Sequence, residues 1–378
     1  MANTNQKIRR REAYRLINAD GHFVEPGDLF TSRVAAKFRD RAPRIEYVPE
    51  KNGDGWIMDG VPEPIPFGMN ACAGLPPEQQ GAWCKFDKIR RGGYDPQARL
   101  DEMDADGVDA EVLYPTPRLS LAMFAQKDPE LHLALVQAWN DWMAEFVAYA
   151  PDRFAGIPVI PNHGAGMAVA EIKRMLGKPG IRGFTMGCYP NGTLAPTAED
   201  DKVWALLTEA NMSLNIHVAM SNVMPTGHKV ALPGWGRFFD APNRMVQMLF
   251  AGIFDRFPSL NVVFAETDCG WVPYVKEQVD NNYFRILPTR PDIRLKGKPS
   301  EYFNRHFHFT YMTDTFGVRN RVDVGVDNML WCSDYPHISA DWPLSWKTIQ
   351  ASMSGVDPEE RHRILCGNAM RLYGFGAR

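Results

Sequence analysis

The stretch MLWCSDYPH, residues 329–337, decides the fold: four apolar residues run without interruption into Ser333, Asp334 and a Tyr-Pro turn. A strand covered on both faces reads as such a continuous run, and strands of parallel sheets are covered on both faces. Seven more runs of this kind lie upstream, at residues 16–20, 108–114, 154–160, 181–186, 213–218, 261–266 and 306–312. Amphipathic stretches alternate with them, at 97–106, 129–150, 166–177, 198–210, 241–257, 271–287, 315–324 and 358–373. The punctuation agrees: Asp128-Pro129 opens a helix, Pro151 and Pro258 follow two ends, and Gly374 follows the last. Eight strands alternating with eight helices predict an α/β fold of the (β/α)8 TIM-barrel type. A doubly wound open sheet is the alternative, but the glycine-rich first turn expected of it is missing.

Composition sets the outer limits. The 378 residues are 45% hydrophobic and 23% charged, which excludes a disordered or fibrous chain and suits one barrel domain over residues 1–378. A net charge of −3 argues against a nucleic-acid partner, although residues 7–11 are locally basic. No apolar run is long enough for a secretory leader or a membrane span, so a cytoplasmic location is expected, with no membrane partner. Cys72, Cys84, Cys188, Cys269, Cys332 and Cys366 form no close pair and read as reduced thiols.

Two segments break the alternation, and residues 1–15 are read as a flexible arm. Residues 43–96, after the first strand, are rich in Gly and Pro and contain Trp56, Phe67 and Trp83; residues 219–240, after the fifth, contain Pro225, Gly227, Pro233, Gly234 and Gly236. Strand-to-helix loops of a barrel all lie on its catalytic face, so both segments are expected to cap the pocket there. Trp56, Phe67, Trp83, Tyr189, Trp235 and Trp271 fall in or beside these loops; packing of the lids accounts for most of them, and an apolar substrate pocket is the other reading.

Three strand ends carry metal-competent groups. Asp20 and His22 close the first run, and residues two apart in an extended chain point the same way. His217 closes the fifth run and Asp334 the eighth. Taken singly, these are a capped turn, a core histidine and a turn-capping aspartate. Taken together they deliver four ligands to one rim of one barrel.

The segments INADGHFVEPGDLF (17–30), NIHV (215–218), FDRFPSLNVVFAETDCGWVPY (254–274), MLWCSDYPH (329–337) and GNAMRLYGF (367–375) resemble the amidohydrolase-related proteins. The branch that they resemble includes aminocarboxymuconate semialdehyde decarboxylase and resorcylate-type decarboxylases, and the likeness spans nearly the whole chain. It implies that Asp20, His22, His217 and Asp334 hold one divalent ion. Two carboxylates with two imidazoles suit Zn²⁺, Mn²⁺ or Fe²⁺. The fourth strand offers no Lys of the kind that binuclear relatives use, so one ion is expected. Two departures stand out: many relatives have His at the position of Asp20, and the known decarboxylases have an acid/base His at the position of Glu266.

Such an ion polarises a carboxylate or carbonyl, or lowers the pKa of water toward about 7. With Asp334 as proton shuttle, the resemblance implies a non-oxidative decarboxylase of a small aromatic or unsaturated carboxylic acid. A hydrolase of C–N, C–O or C–C bonds is the alternative, favoured by Glu266, and a catalytically inactive binding barrel is a third reading. Glu266 reads either as a second acid/base or as a support for a ligating His. His337, Arg237, His228, Arg118 and His163 are candidates to hold the substrate carboxylate, each weighed against an ordinary surface or loop role. Glu25 reads as a fastener of the loop after the first strand. The resemblance also implies a homodimer or a higher homo-oligomer.

Overall fold

A computed structural model describes residues 15–218, 220 and 236–376. All eight expected runs form parallel strands: β1 (Ile17–His22), β2 (Ala110–Tyr114), β3 (Phe154–Gly156), β4 (Gly183–Thr185), β5 (Ser213–His217), β6 (Val262–Ala265), β7 (Phe307–Tyr311) and β8 (Met329–Trp331). Pairing runs β1-β2-β3 in one part and β4-β5-β6-β7-β8 in another. Parallel bridges at Gly156–Ile181 and Val159–Thr185 join β3 to β4. The ring closes between β8 and β1, where Asp334 N donates to Asp20 O at 3.0 Å and His22 N donates to Tyr335 O at 2.7 Å. The seam that closes the barrel therefore sets two of the expected ligands side by side.

The helices follow the sequence punctuation. Helix α1 (Pro96–Asp106) is capped by Asp95, whose side chain accepts from Ala98 N, and ends at Gly107 with φ 78°. Helix α2 (Pro129–Ala148) is capped by Asp128, which accepts from Glu130 N and Leu131 N. Proline fits the first helical position because that N–H would have no partner, and glycine accepts the left-handed turn at the end. Four expected helices prove divided: 198–210 begins with a 3-10 turn, 241–257 breaks between Phe250 and Ile253, 315–324 breaks at Asn320, and 358–373 contains a π-helical turn at Arg363–Gly367. The sequence reading missed Pro117–Ala125, Pro299–His306 and Ser345–Ser352, which are short helices inside connections.

Residues 43–96 hold more regular structure than their composition suggested. Arg44–Val48, Gly53–Ile57 and Ile65–Pro66 make an antiparallel sheet. Trp56 and Phe67 are buried in the hydrophobic core, as lid packing predicts, with Trp56 meeting Phe30 edge to face at 6.2 Å. The segment rests on the β8 connection: Ile338 N donates to Met69 O at 2.9 Å, Ala73 N donates to Pro336 O at 3.1 Å, and Arg90 lies 4.1 Å over the Trp342 ring. Most of residues 219–240 and all but one of residues 1–15 lie outside the described residues. Among the described residues no helix is long and apolar enough to cross a membrane.

Candidate metal centre

Strand β1 ends in an irregular register between Asn18 and Gly21. The Asn18 side chain holds that irregularity, its Oδ1 accepting from Asp20 N at 3.2 Å and from Ser333 N at 2.8 Å. A bulge of this kind redirects side chains near a site. Asp20 and His22 both end up buried at the mouth of the barrel beside His217 and Asp334. His22 Nε2 lies 3.4 Å from Asp20 Oδ1 and 3.3 Å from Asp334 Oδ1, and His217 Nε2 lies 3.4 Å from the same Asp20 oxygen.

Each of the four side chains is anchored at one end and unsatisfied at the other. His22 Nδ1 donates to Pro115 O at 3.1 Å and His217 Nδ1 donates to Val218 O at 2.6 Å, which leaves both lone pairs on Nε2. Asp20 Oδ2 accepts from Thr310 Oγ1 at 3.3 Å, and Asp334 Oδ2 accepts from Ser339 Oγ. Asp20 Oδ1, His22 Nε2 and His217 Nε2 are buried without a hydrogen-bond partner, and Asp334 Oδ1, also without a hydrogen bond of good angle, has only the His337 ring beside it at 2.8 Å. Buried polar atoms are otherwise nearly always paired. Ligand atoms about 2.0–2.2 Å from a common ion sit about 3.0–3.4 Å from one another, so the spacing and the orphaned atoms both fit a divalent cation.

The electrostatics agree. Burial works against charge on His22, yet the Asp20 and Asp334 carboxylates overcome it and raise its pKa to about 10. His217 moves upward for the same reason, with burial opposed chiefly by Asp20. Burial would raise both aspartates, but His217 and His22 hold Asp20 below the usual carboxylate range, and His337 and His22 hold Asp334 far below it. A pocket that pulls protons onto buried imidazoles is one that attracts positive charge.

Glu266 joins the same cluster from the end of β6. Its Oε2 lies 3.7 Å from His217 Nε2, the nitrogen free for an ion, whereas the far nitrogen of that ring is held by Val218. Glu266 therefore does not support the ring from behind, as one reading of the sequence had it. Both Glu266 and Asp334 have φ 57°. Left-handed backbone at a non-glycine residue costs about 1–2 kcal/mol and is characteristic of functional sites.

The other candidates divide. His337 belongs to the cluster, with Nδ1 2.8 Å from Asp334 Oδ1 and its ring stacked on His22 at 4.1 Å. His163 does not: it bonds Gln126 O at 2.7 Å and lies against His132, so it fastens a loop. Arg118 is exposed in the first turn of Pro117–Ala125. His228 lies outside the described residues, and of Arg237 only the backbone, in the helical turn Gly236–Asp240, is described. Glu25 fastens the first loop as expected, accepting from Thr116 N and Trp139 Nε1 at 3.0 Å each. Three partners escaped the sequence reading: Thr310, Ser339 and Asn70, whose Nδ2 lies 3.0 Å from His337 Nε2. No motif marks them: Thr310 and Asn70 reach the site only through tertiary contact, and Ser339 through the fold of the loop after Asp334.

An eight-stranded barrel with histidines and carboxylates converging at the C-terminal ends of its strands defines a metal-dependent TIM-barrel class. Residues 17–375 match the amidohydrolase family, and the chain belongs to it. It is similar to a gamma-resorcylate decarboxylase of Polaromonas sp. strain JS666, 25% identical over 249 residues that cover 62% of this chain and 74% of the relative. It is also similar to a 2-amino-3-carboxymuconate-6-semialdehyde decarboxylase of Dictyostelium discoideum, 25% identical over 300 residues, 77% of this chain and 79% of that one. A crystal structure of 5-carboxyvanillate decarboxylase from Novosphingobium aromaticivorans, complexed with manganese and 4-hydroxy-3-methoxy-5-nitrobenzoic acid, shares the fold: TM-score 0.70, 17% identity, 96% of this chain and 97% of that one.

Removing the ion should be visible without any assay of activity. A site occupied at about 100 times its dissociation constant stabilises the folded state by about 2.7 kcal/mol. Thermal melts after chelation should therefore shift downward and recover on adding Mn²⁺ or Zn²⁺. Identical melts with and without chelator would count against a metal centre.

Proposed function

We propose that the protein is a metal-dependent, non-oxidative decarboxylase of a small aromatic carboxylic acid. The observation that carries this reading is the set of four buried, unsatisfied ligand atoms with Asp334 among them. The decarboxylase relatives support it. Asp20, His22, His217 and Asp334 would hold one divalent ion, which when bound supplies positive charge to orient a substrate carboxylate and stabilise developing negative charge.

The chain's own residues would do the rest. Asp334 would carry the proton that replaces the carboxylate, with the His337 and His22 rings beside its Oδ1. Asp334 then donates that proton to the ring carbon bearing the carboxylate. The C–C bond breaks, its electron pair returns to the ring, and carbon dioxide leaves. His337, opposite Asp334 Oδ1, holds the shuttle in place, and Ser339 fixes its other oxygen. Residues 43–96, seated on the β8 connection, would help exclude water. The six cysteines are thiols rather than disulfides, in keeping with a cytoplasmic location.

Turnover of a panel of hydroxybenzoates in D₂O should release carbon dioxide and leave one deuterium on the carbon that lost the carboxylate, read by mass spectrometry. A metal-loaded enzyme that releases no carbon dioxide from any of them would overturn the reading. Hydrolysis is the second reading, favoured by Glu266 standing at the ligating edge of His217, where a carboxylate can take a proton from water. Reaction in H₂¹⁸O separates the two, since only hydrolysis must place the label in product.

A further inference from the structure

Glu266 stands where the sequence resemblance expects a histidine, and that resemblance gives it no place among the ligands. It follows β6 with φ 57°, and its backbone N donates to Thr310 Oγ1 at 2.6 Å. The same hydroxyl donates to Asp20 Oδ2 at 3.3 Å. One side chain of β7 therefore fixes both a candidate ligand and the backbone turn from which Glu266 projects. The turn sends the carboxylate to the open atoms of the cluster and not to their anchored ends. Glu266 Oε2 lies 3.7 Å from His217 Nε2, which is buried without a partner. Ligand atoms of Glu266, His22, Asp334 and His337 all lie within 4.8 Å of one another. Two donors about 2.0–2.2 Å from one ion stand up to about 4.4 Å apart when they face each other across it. Glu266 thus meets the cluster close to the spacing of a further donor. Its side chain is 18% exposed, whereas Asp20, His22, His217 and Asp334 are buried, so it joins them from the solvent side.

We infer that Glu266 is a fifth protein ligand of the divalent ion, beside Asp20, His22, His217 and Asp334. Three carboxylates and two imidazoles make a harder and more crowded site than two of each. Zn²⁺ settles with four donors in a tetrahedron, whereas Mn²⁺ suits carboxylate oxygens and a larger donor set. The fifth ligand therefore moves the preference of the centre from Zn²⁺ toward Mn²⁺. This inference rests on the ion-binding part of the decarboxylase reading and deepens it, because a carboxylate engaged by the ion is not the free base that hydrolysis would use.

Metal affinity tests this without any assay of turnover. Dissociation constants of Mn²⁺ and Zn²⁺ would be measured on the full-length wild type, Glu266→Gln and Glu266→His, each stripped of metal, by competition with a chromogenic chelator and with no substrate present. Glu266→Gln should weaken Mn²⁺ binding by about 10–100-fold, at least the loss that follows removal of an outer partner of a ligand. Zn²⁺ should lose much less, since its four donors remain, so the Mn²⁺-to-Zn²⁺ affinity ratio falls. Glu266→His, which supplies an imidazole in place of the carboxylate, should lower that ratio as well. Unchanged affinities in Glu266→Gln, or an equal loss for both ions as a charge acting through space would give, would overturn the inference while leaving the decarboxylase reading intact. A wild type that binds neither ion would overturn both.

Discussion

Asp334→Asn is expected to lower turnover by about 10²–10⁴-fold, the usual contribution of a positioned acid/base group. Asparagine keeps the shape of the side chain and an oxygen for the ion, but it carries no transferable proton. Asp20, His22 and His217 still offer their unsatisfied atoms to the cation, so metal should be retained. Carbon dioxide release and metal content measured on the same preparation separate loss of the proton shuttle from loss of the ion. A variant that holds its metal and keeps more than a tenth of wild-type turnover would remove Asp334 from the role proposed for it.

Arg99→Met is expected to destabilise the fold by about 3–5 kcal/mol, the cost of stripping one partner from a buried ion pair. Arg99 is 1% exposed and its Nε donates to Glu111 Oε2 at 2.6 Å. Nη1 donates to His22 O at 3.0 Å and Nη2 to Tyr335 O at 3.3 Å, while the guanidinium lies 4.7 Å over the Tyr335 ring. One side chain thus ties the β1 and β8 connections together directly behind the cluster of Asp20, His22 and Asp334. Methionine fills much of the volume but leaves Glu111 charged and buried with Asn18 as its remaining partner. Denaturant unfolding of the metal-free protein measures the loss, and a fall of less than about 1 kcal/mol would contradict the account, being within the range of an exposed pair. Adding Glu111→Leu to Arg99→Met should recover part of the stability, because removing both charges leaves no unpaired ion.

Neither Arg99 nor Glu111 stood out in the sequence, and the reason is physical. A charged residue on an amphipathic helix reads as a solvated face, and only the path of the chain shows that Arg99 points inward beneath the β1–β8 seam. Asn70, Thr310 and Ser339 were hidden for a related reason. Each is an ordinary polar residue whose importance lies in one hydrogen bond to a group far away in the sequence, except Ser339, which is close to Asp334. Trp56 and Phe67 follow the packing reading, since the small antiparallel sheet and the turn after it fold them into the core.

The barrel and the convergence of Asp20, His22, His217 and Asp334 on one rim were readable in the sequence by itself, because period and position carry that information: buried parallel strands are continuous apolar runs, and groups at their ends share one rim. What only the tertiary structure decided is which nitrogen and which oxygen of each of these side chains is left without a partner, and which rim residues accompany them. Pro115, Val218, Thr310 and Ser339 settle the first, by satisfying one end of each side chain. The left-handed backbone at Asp334 and Glu266 and the docking of residues 43–96 settle the second, bringing in His337, Glu266 and Asn70 while His163 stays on its own loop. Such choices depend on distances of a few tenths of an ångström between segments hundreds of residues apart, which no local pattern encodes.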